Sequence, residues 1–246
     1  MLPGAIQAET IKMGYFEHHP HFITTEDGTP RGATIAYFEM VAEKMGYEVE
    51  WVGPLPMMRM NRMLNDGVLD GQPHETDIAT YGETWYFADQ PYHQAQAVFM
   101  VTQDNPLRSI TTIEDVKGYR VGWIQHAPPS LFVYENQVHF QIDLIASNET
   151  MWERSLQKLL AGRIDAVHDL NLFTLPYIAK EMGIGDKVKT LILPEPPVPV
   201  YVVFSKQSPR GKELIEKYNQ AQAELGFGHE DYVKLIQAEM EALTQK

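Results

Sequence analysis

Cysteine is absent from the 246 residues, which excludes disulfides, thiolate metal centres and cysteine nucleophiles. Positive charge is scarce: 20 Lys and Arg stand against 33 Asp and Glu, a net charge of -13. Nucleic acids and anionic membranes are recognised through Lys and Arg. No basic cluster interrupts the acidic background, so neither is expected as a partner. Long apolar runs are missing too, and nothing reaches the roughly 20 residues of a membrane-spanning helix. There is no tight metal-binding spacing such as H-E-x-x-H. The remaining composition, 44% apolar and 22% charged, is that of a folded chain with enough apolar content for one large or two small domains. At the start, Leu2 to Ala8 reads either as the tail of a secretory signal, with small Ala8 before a cut, or as an ordinary chain terminus.

What is present is a repeat. Gly14-Tyr15-Phe16-Glu17-His18-His19-Pro20 is echoed 108 residues later by Gly122-Trp123-Ile124-Gln125-His126-Ala127-Pro128. Each copy ends an apolar run and enters a loop through an aromatic, a polar residue and a histidine. Downstream, Leu64-x-x-Gly67-x-Leu69-Asp70-Gly71 is echoed by Leu159-x-x-Gly162-x-Ile164-Asp165-Ala166. Two halves of similar build are implied, with His18 and His126 facing one another across a cleft.

The periodicities predict strands at 11–15, 47–52, 68–71, 119–124, 163–167 and 188–193. They predict helices at 33–45, 57–64, 149–160 and 171–182, and helix over most of the last forty residues. Gly46 is placed as a helix-ending residue, and Ser147 or Asn148 as an N-cap. Met57, Met58, Met60 and Met63 read as core filler around one helix rather than a soft-metal string. Strand alternating with helix implies α/β architecture, each half a mainly parallel sheet flanked by helices. Extended segments at 96–102 and 198–205 suggest a two-strand hinge. Lobe one is then 1–94 plus 204–246, and lobe two is 95–203.

Six segments carry a resemblance. They are Ile11 to Tyr15; Glu26-Asp27-Gly28-Thr29-Pro30-Arg31-Gly32; Met63 to Gly71; Phe87-Ala88-Asp89-Gln90-Pro91-Tyr92; Ile113 to Gly122; and Tyr201 to Lys206. In this order and spacing, over nearly the whole chain, they resemble the extracytoplasmic solute-binding proteins of ABC importers, polar-amino-acid type, with the type II periplasmic-binding-protein fold. The resemblance implies a monomeric Venus-flytrap that closes on a small polar solute and delivers it to an ABC permease, in the periplasm or otherwise outside the cytoplasm, without chemistry. It also implies two departures. The Arg that amino-acid-binding members use for the ligand carboxylate has no counterpart in Glu75 to Tyr81. Their Gly-Thr pair is replaced by His126-Ala127-Pro128-Pro129. Asp169 falls where the family places the partner of the ligand amine. An ordinary α-amino acid is therefore not the expected ligand.

Ligands of open α/β sheets sit beyond the carboxyl ends of the strands. That rule gathers seven of the nine histidines, leaving out only His139 and His229. The candidate ligand-binding set is Glu17, His18, His19, His21, Phe22, Arg59, His74, Glu75, Tyr92, Trp123, His126, His168 and Asp169. Three readings of the histidines stand open. They bind a transition metal through His18, His19, His21, His126 and His168, with carboxylates such as Asp77 completing the shell; they hydrogen-bond or stack on an organic solute; or they are incidental. No cofactor is expected beyond such a metal. An enzyme on this fold, such as a dehydratase with a carboxylate as acid or base, is the remaining alternative, with Glu17, Glu75 or Asp169 as the group concerned.

Overall fold

A computed structural model of the chain describes residues 9–76, 78–125, 127, 129–146 and 150–243. The first part runs through β1 (Glu9–Gly14), a hairpin of β2 (Ile23–Thr24) and β3 (Pro30–Arg31), α1 (Ala33–Met45), β4 (Tyr47–Val52), α2 (Met57–Asn65), β5 (Gly71–Glu75), α3 (Ile78–Tyr81), β6 (Trp85–Phe87) and β7 (His93–Ala95). Next come β8 (Val98–Thr102), β9 (Arg120–Ile124), α4 (Leu131–Asn136), β10 (Gln141–Ile145), α5 (Met151–Leu160), β11 (Ala166–Asp169), α6 (Thr174–Glu181) and β12 (Val188–Ile192). The last part is β13 (Val198–Ser205), α7 (Gly211–Leu225) and α8 (His229–Ala242).

Contacts divide the chain into two units. Unit 1 runs to Gln94 and resumes over Pro199–Glu241; unit 2 is Ala95–Val198 with the residues from Ala242. The return falls earlier than the 204 read from the sequence. The reason is that β13 is already laid into the sheet of unit 1 by Val200, whose carbonyl accepts from Tyr92 N–H at 3.1 Å.

Unit 1 holds strands in the order β4-β1-β5-β13-β6, with β7 also on β13; unit 2 holds β10-β9-β11-β8-β12. Both sheets are mixed, with a parallel part and an antiparallel part. In each, three strands run parallel on one side, and the strand beside the unit boundary enters antiparallel. The architecture is α/β, as the alternation of strand and helix requires.

The repeated segments build the same joint twice. A Cβ on Gly14 would lie 2.6 Å from Leu69 Cδ1, and a Cβ on Gly122 would lie 2.7 Å from Ile164 Cδ1. Each first-strand glycine is therefore the bed for the buried aliphatic of the second motif. The aspartate that follows closes the joint. Asp70 accepts from the Lys12 N–H at 3.0 Å, and Asp165 accepts from the Arg120 N–H at 2.8 Å. In return Asp70 and Asp165 N–H donate to the Lys12 and Arg120 carbonyls, at 2.9 and 2.8 Å.

This joint also explains where the sequence reading missed. Strands predicted at 68–71 and 163–167 begin only at Gly71 and Ala166, because Leu69 and Ile164 turn into the core and Asp70 and Asp165 bond across before pairing starts. Helix α1 lies where its spacing placed it, burying Ile35, Phe38, Val41 and Ala42, and Gly46 ends it. Its first free N–H groups, on Ala33 and Thr34, donate to the carbonyls of Pro20 and His21 at 3.0 and 3.1 Å, which satisfies an otherwise orphaned helix start. Helix α5 begins at Met151, later than expected, and the suggested caps Ser147 and Asn148 lie outside the described residues. Of the four methionines read as filler, Met60 is fully buried, whereas Met57 and Met58 are exposed. Among the described residues no helix is long and apolar enough to cross a membrane.

Candidate functional site

In unit 1, β1 and β5 are parallel neighbours, so the loop after β1 and the end of β5 emerge together. The first carries His18, His19 and His21; the second carries His74. The rings of His18, His21 and His74 form a triangle with centroid separations of 4.8, 5.2 and 5.0 Å, and His93 lies 5.7 Å from His21. Phe16 stacks on His18 at 5.4 Å, and Phe22 meets His74 edge-on at 5.9 Å.

Behind this triangle runs a layer of hydroxyls. His21 Nδ1 is 2.6 Å from the Tyr232 hydroxyl, which is 2.5 Å from Thr34 Oγ1. His74 Nδ1 is 2.9 Å from the Tyr92 hydroxyl. His93 Nδ1 lies 3.2 Å from His229 Nδ1. Burial, followed by the neighbouring histidines, holds His18 and His74 well below the usual imidazole value, and burial takes His93 down to about 3. These imidazoles are neutral at pH 7. Tyr232, Thr34 and His229 were not foreseen, because α8 and α1 bring them in across the fold; His229, set aside in the sequence reading, touches the cluster through His93.

Several sequence candidates are hydrogen-bonded within the chain. Glu17 Oε1 accepts from His19 Nε2 at 2.6 Å and from Thr24 N–H at 3.1 Å, while Oε2 accepts from the Thr24 hydroxyl at 2.8 Å. Burial pushes the Glu17 carboxyl up, but His19 and Thr24 outweigh it and hold it low. Glu17 and His19 thus pin their own loop. Glu75 accepts from Gln72 Nε2 and from the Thr76 N–H, both at 2.8 Å. Phe22, Tyr92 and His21 are fully buried and pack against the half-buried His18 and His74. Arg59 is exposed on α2.

In unit 2, β11 ends in His168 and Asp169, both buried. Asp169 takes hydrogen bonds from the Thr174 hydroxyl and from the N–H groups of Asn171 and Leu170, yet burial dominates and raises its carboxyl to about 7. Its Oδ2 finds no hydrogen-bond partner among the described residues. His168, held down to about 3 by burial, lies 6.0 Å from Trp123 and 6.1 Å from Phe99, edge-on to both. The Trp123 indole N–H donates to the Ala127 carbonyl at 3.0 Å, which leaves its ring as the part open to other contacts.

Among the described residues, no group of three or more His, Asp or Glu is placed as it stands to hold a metal ion. Of the five histidines expected to do so, His19 is bound to Glu17 and His168 belongs to unit 2. His126 lies outside the described residues, as does Asp77, and with His126 goes the expectation that it faces His18.

Solved structures share this fold. An ancestral arginine-binding protein bound to arginine is 24% identical with a TM-score of 0.70, covering 93% of this chain and 97% of its own. An amino acid ABC transporter substrate-binding protein from Streptococcus pneumoniae bound to L-arginine is 17% identical with a TM-score of 0.70, covering 96% and 97%. The ancestral amino acid-binding protein AncCDT-1, a precursor of cyclohexadienyl dehydratase, is 20% identical with a TM-score of 0.70, covering 94% and 95%. At such identities the likeness is one of fold. No curated protein matches the chain. The family model of bacterial extracellular solute-binding proteins, family 3, matches residues 11–227, and the chain belongs to that family.

Proposed function

We propose that the protein works outside the cytoplasm, capturing a small polar solute, cationic or neutral rather than an ordinary α-amino acid, and delivering it to a membrane permease. The observation that carries this reading is Asp169, a buried carboxyl with one oxygen lacking a hydrogen-bond partner among the described residues. A buried carboxylate without a counter-charge is costly, and so it holds its proton. A cationic group set against Oδ2 supplies the missing charge and releases that proton. A neutral donor bonds the same oxygen without requiring ionisation. The chain meanwhile lacks an Arg in Glu75 to Tyr81 and a Gly-Thr at 126–129, so a ligand carboxylate loses both of its usual partners.

A thermal-shift series of amines, guanidines, amino acids and aromatic acids tests this. A solute at 100 times its dissociation constant stabilises the folded chain by about 2.7 kcal/mol. The expected result is a rise in Tm with a cationic or neutral solute that is lost in Asp169→Asn. A rise confined to α-amino acids, unaffected by Asp169→Asn, overturns the reading. The second reading, a lyase on this fold, is favoured by the same carboxyl, since a group titrating near 7 is matched to proton transfer at neutral pH. Turnover of the stabilising solute, followed by mass spectrometry, would replace capture with catalysis.

A further inference from the structure

We propose that His74 is a hydrogen-bond donor to the captured solute: the Tyr92 hydroxyl keeps its proton on Nε2, and that N–H takes a carbonyl oxygen of the kind an amide carries. This deepens the capture reading and rests on it, but it does not depend on Asp169. The proton assignment follows from what the Tyr92 hydroxyl reaches. It contacts His74 Nδ1 at 2.9 Å and Thr34 Oγ1 at 3.5 Å, and a phenol has one proton to give. Given to Thr34, that proton would span more than the usual O–H···O range of about 2.5–3.0 Å, and His74 would have to donate from Nδ1 to a phenol oxygen. Given to His74, it fills the short contact with the better donor on the better acceptor. Thr34 keeps a closer partner, the Tyr232 hydroxyl at 2.5 Å. Burial, followed by the neighbouring histidines, keeps the His74 ring neutral, and a neutral imidazole whose Nδ1 accepts carries its hydrogen on Nε2.

His74 Nε2 makes no hydrogen bond among the described residues. The ring is half-buried and stands near the carboxyl end of β5, where open α/β sheets receive their ligands. Phe16 and Phe22 flank it edge-on at 6.4 and 5.9 Å and fix its plane. It is therefore a positioned donor without charge. An ammonium or guanidinium brings only further N–H donors and finds no acceptor in it. A carboxylate finds no counter-charge in it, and charged donors are the stronger partners of such a group. The uncharged carbonyl oxygen of a carboxamide matches it in both polarity and charge.

The tautomer is measured on the full chain, without solute, by long-range nitrogen–proton NMR correlation of the histidine rings. The expected result is a bare Nδ1 and a protonated Nε2 for His74, its signals identified by their loss in His74→Gln. Tyr92→Phe should let the Nδ1–H form appear, whereas Thr34→Val should leave the His74 tautomer unchanged. Selection is measured by titration calorimetry with paired probes that differ by one carboxamide: lysinamide against cadaverine, and glycinamide against methylamine. Each amide should bind about five- to tenfold tighter than its amine, the worth of one hydrogen bond. That advantage should vanish in His74→Ala and persist in part in His74→Gln, which retains an N–H donor. Circular dichroism of each variant verifies the fold. A His74 protonated on Nδ1 overturns the proposal, and so does an amide advantage that is absent or unaltered by His74→Ala. Because the tautomer is read without solute, its failure is distinct from failure of the capture reading, which would leave amides and amines alike unbound.

Discussion

Unit 1 ends β1 and β5 in imidazoles backed by phenols, with its carboxylates Glu17 and Glu75 bonded within their own segments. Unit 2 ends β11 in a carboxyl with one oxygen lacking a hydrogen-bond partner among the described residues. Yet both stand on one joint, in which a first-strand glycine receives an aliphatic side chain and an aspartate bonds the strand backbone. The difference teaches that the repeated scaffold is independent of what it presents. Packing fixes Gly14, Leu69 and Asp70 in the same way as Gly122, Ile164 and Asp165, while the residues a few positions beyond are free to carry different chemistry.

Variants can break or sharpen this contrast, beginning with the largest expected effect. Leu69→Ala and Ile164→Ala should each cost about 2–5 kcal/mol in denaturant unfolding, since each leaves a cavity over a glycine. Similar losses would show the two joints to be energetically equivalent, and a loss confined to one would break the parallel. Asp169→Asn should act in the opposite direction. The Asp169 carboxyl titrates at about 7 when folded and at about 3.9 when unfolded, so the unfolded state gives up its proton first and stability falls as pH rises between these values. Replacing it should therefore stabilise the chain at pH 8 by up to about 4 kcal/mol, with the gain vanishing below pH ~4.

His168 has the reverse slope. Its folded value of about 3 lies below the unfolded 6.5, so stability is full above pH ~6.5 and is lost as pH falls towards 3; at pH 5 the loss is about 2 kcal/mol. His168→Leu should flatten that acid limb in a pH series of unfolding curves. Gly14→Ala and Gly122→Ala should each cost about 1–3 kcal/mol by overpacking. Thr24→Val, which removes the hydroxyl that donates to Glu17 Oε2 and keeps the backbone N–H bond to Oε1, should cost about 1 kcal/mol and leave solute affinity unchanged. A lost affinity there would return Glu17 to the site.

The repeat was legible because it is a packing device, and packing devices recur in the sequence at fixed spacing. Helix α1 was legible because Ile35, Phe38, Val41 and Ala42 declare one face. The starts of β5 and β11 were not, since Leu69 and Ile164 look like strand residues until the bond from Asp70 or Asp165 shows them to be part of a turn. Among site candidates, the sequence could not separate His74, whose ring lies in the histidine cluster, from Glu17, which accepts from Thr24. That division depends on hydrogen bonds made after folding. Tyr232 lies 211 positions from His21, and no local pattern links them.

The most direct test of the account is the proton balance of solute binding, measured at pH 6 by calorimetry in two buffers of different ionisation enthalpy. With Asp169 protonated before binding and ionised against a cationic solute after it, about one proton should be released per cationic solute bound, and none in Asp169→Asn. Proton uptake, or an unchanged release in Asp169→Asn, would contradict the assignment of Asp169 as the group that receives the positive charge.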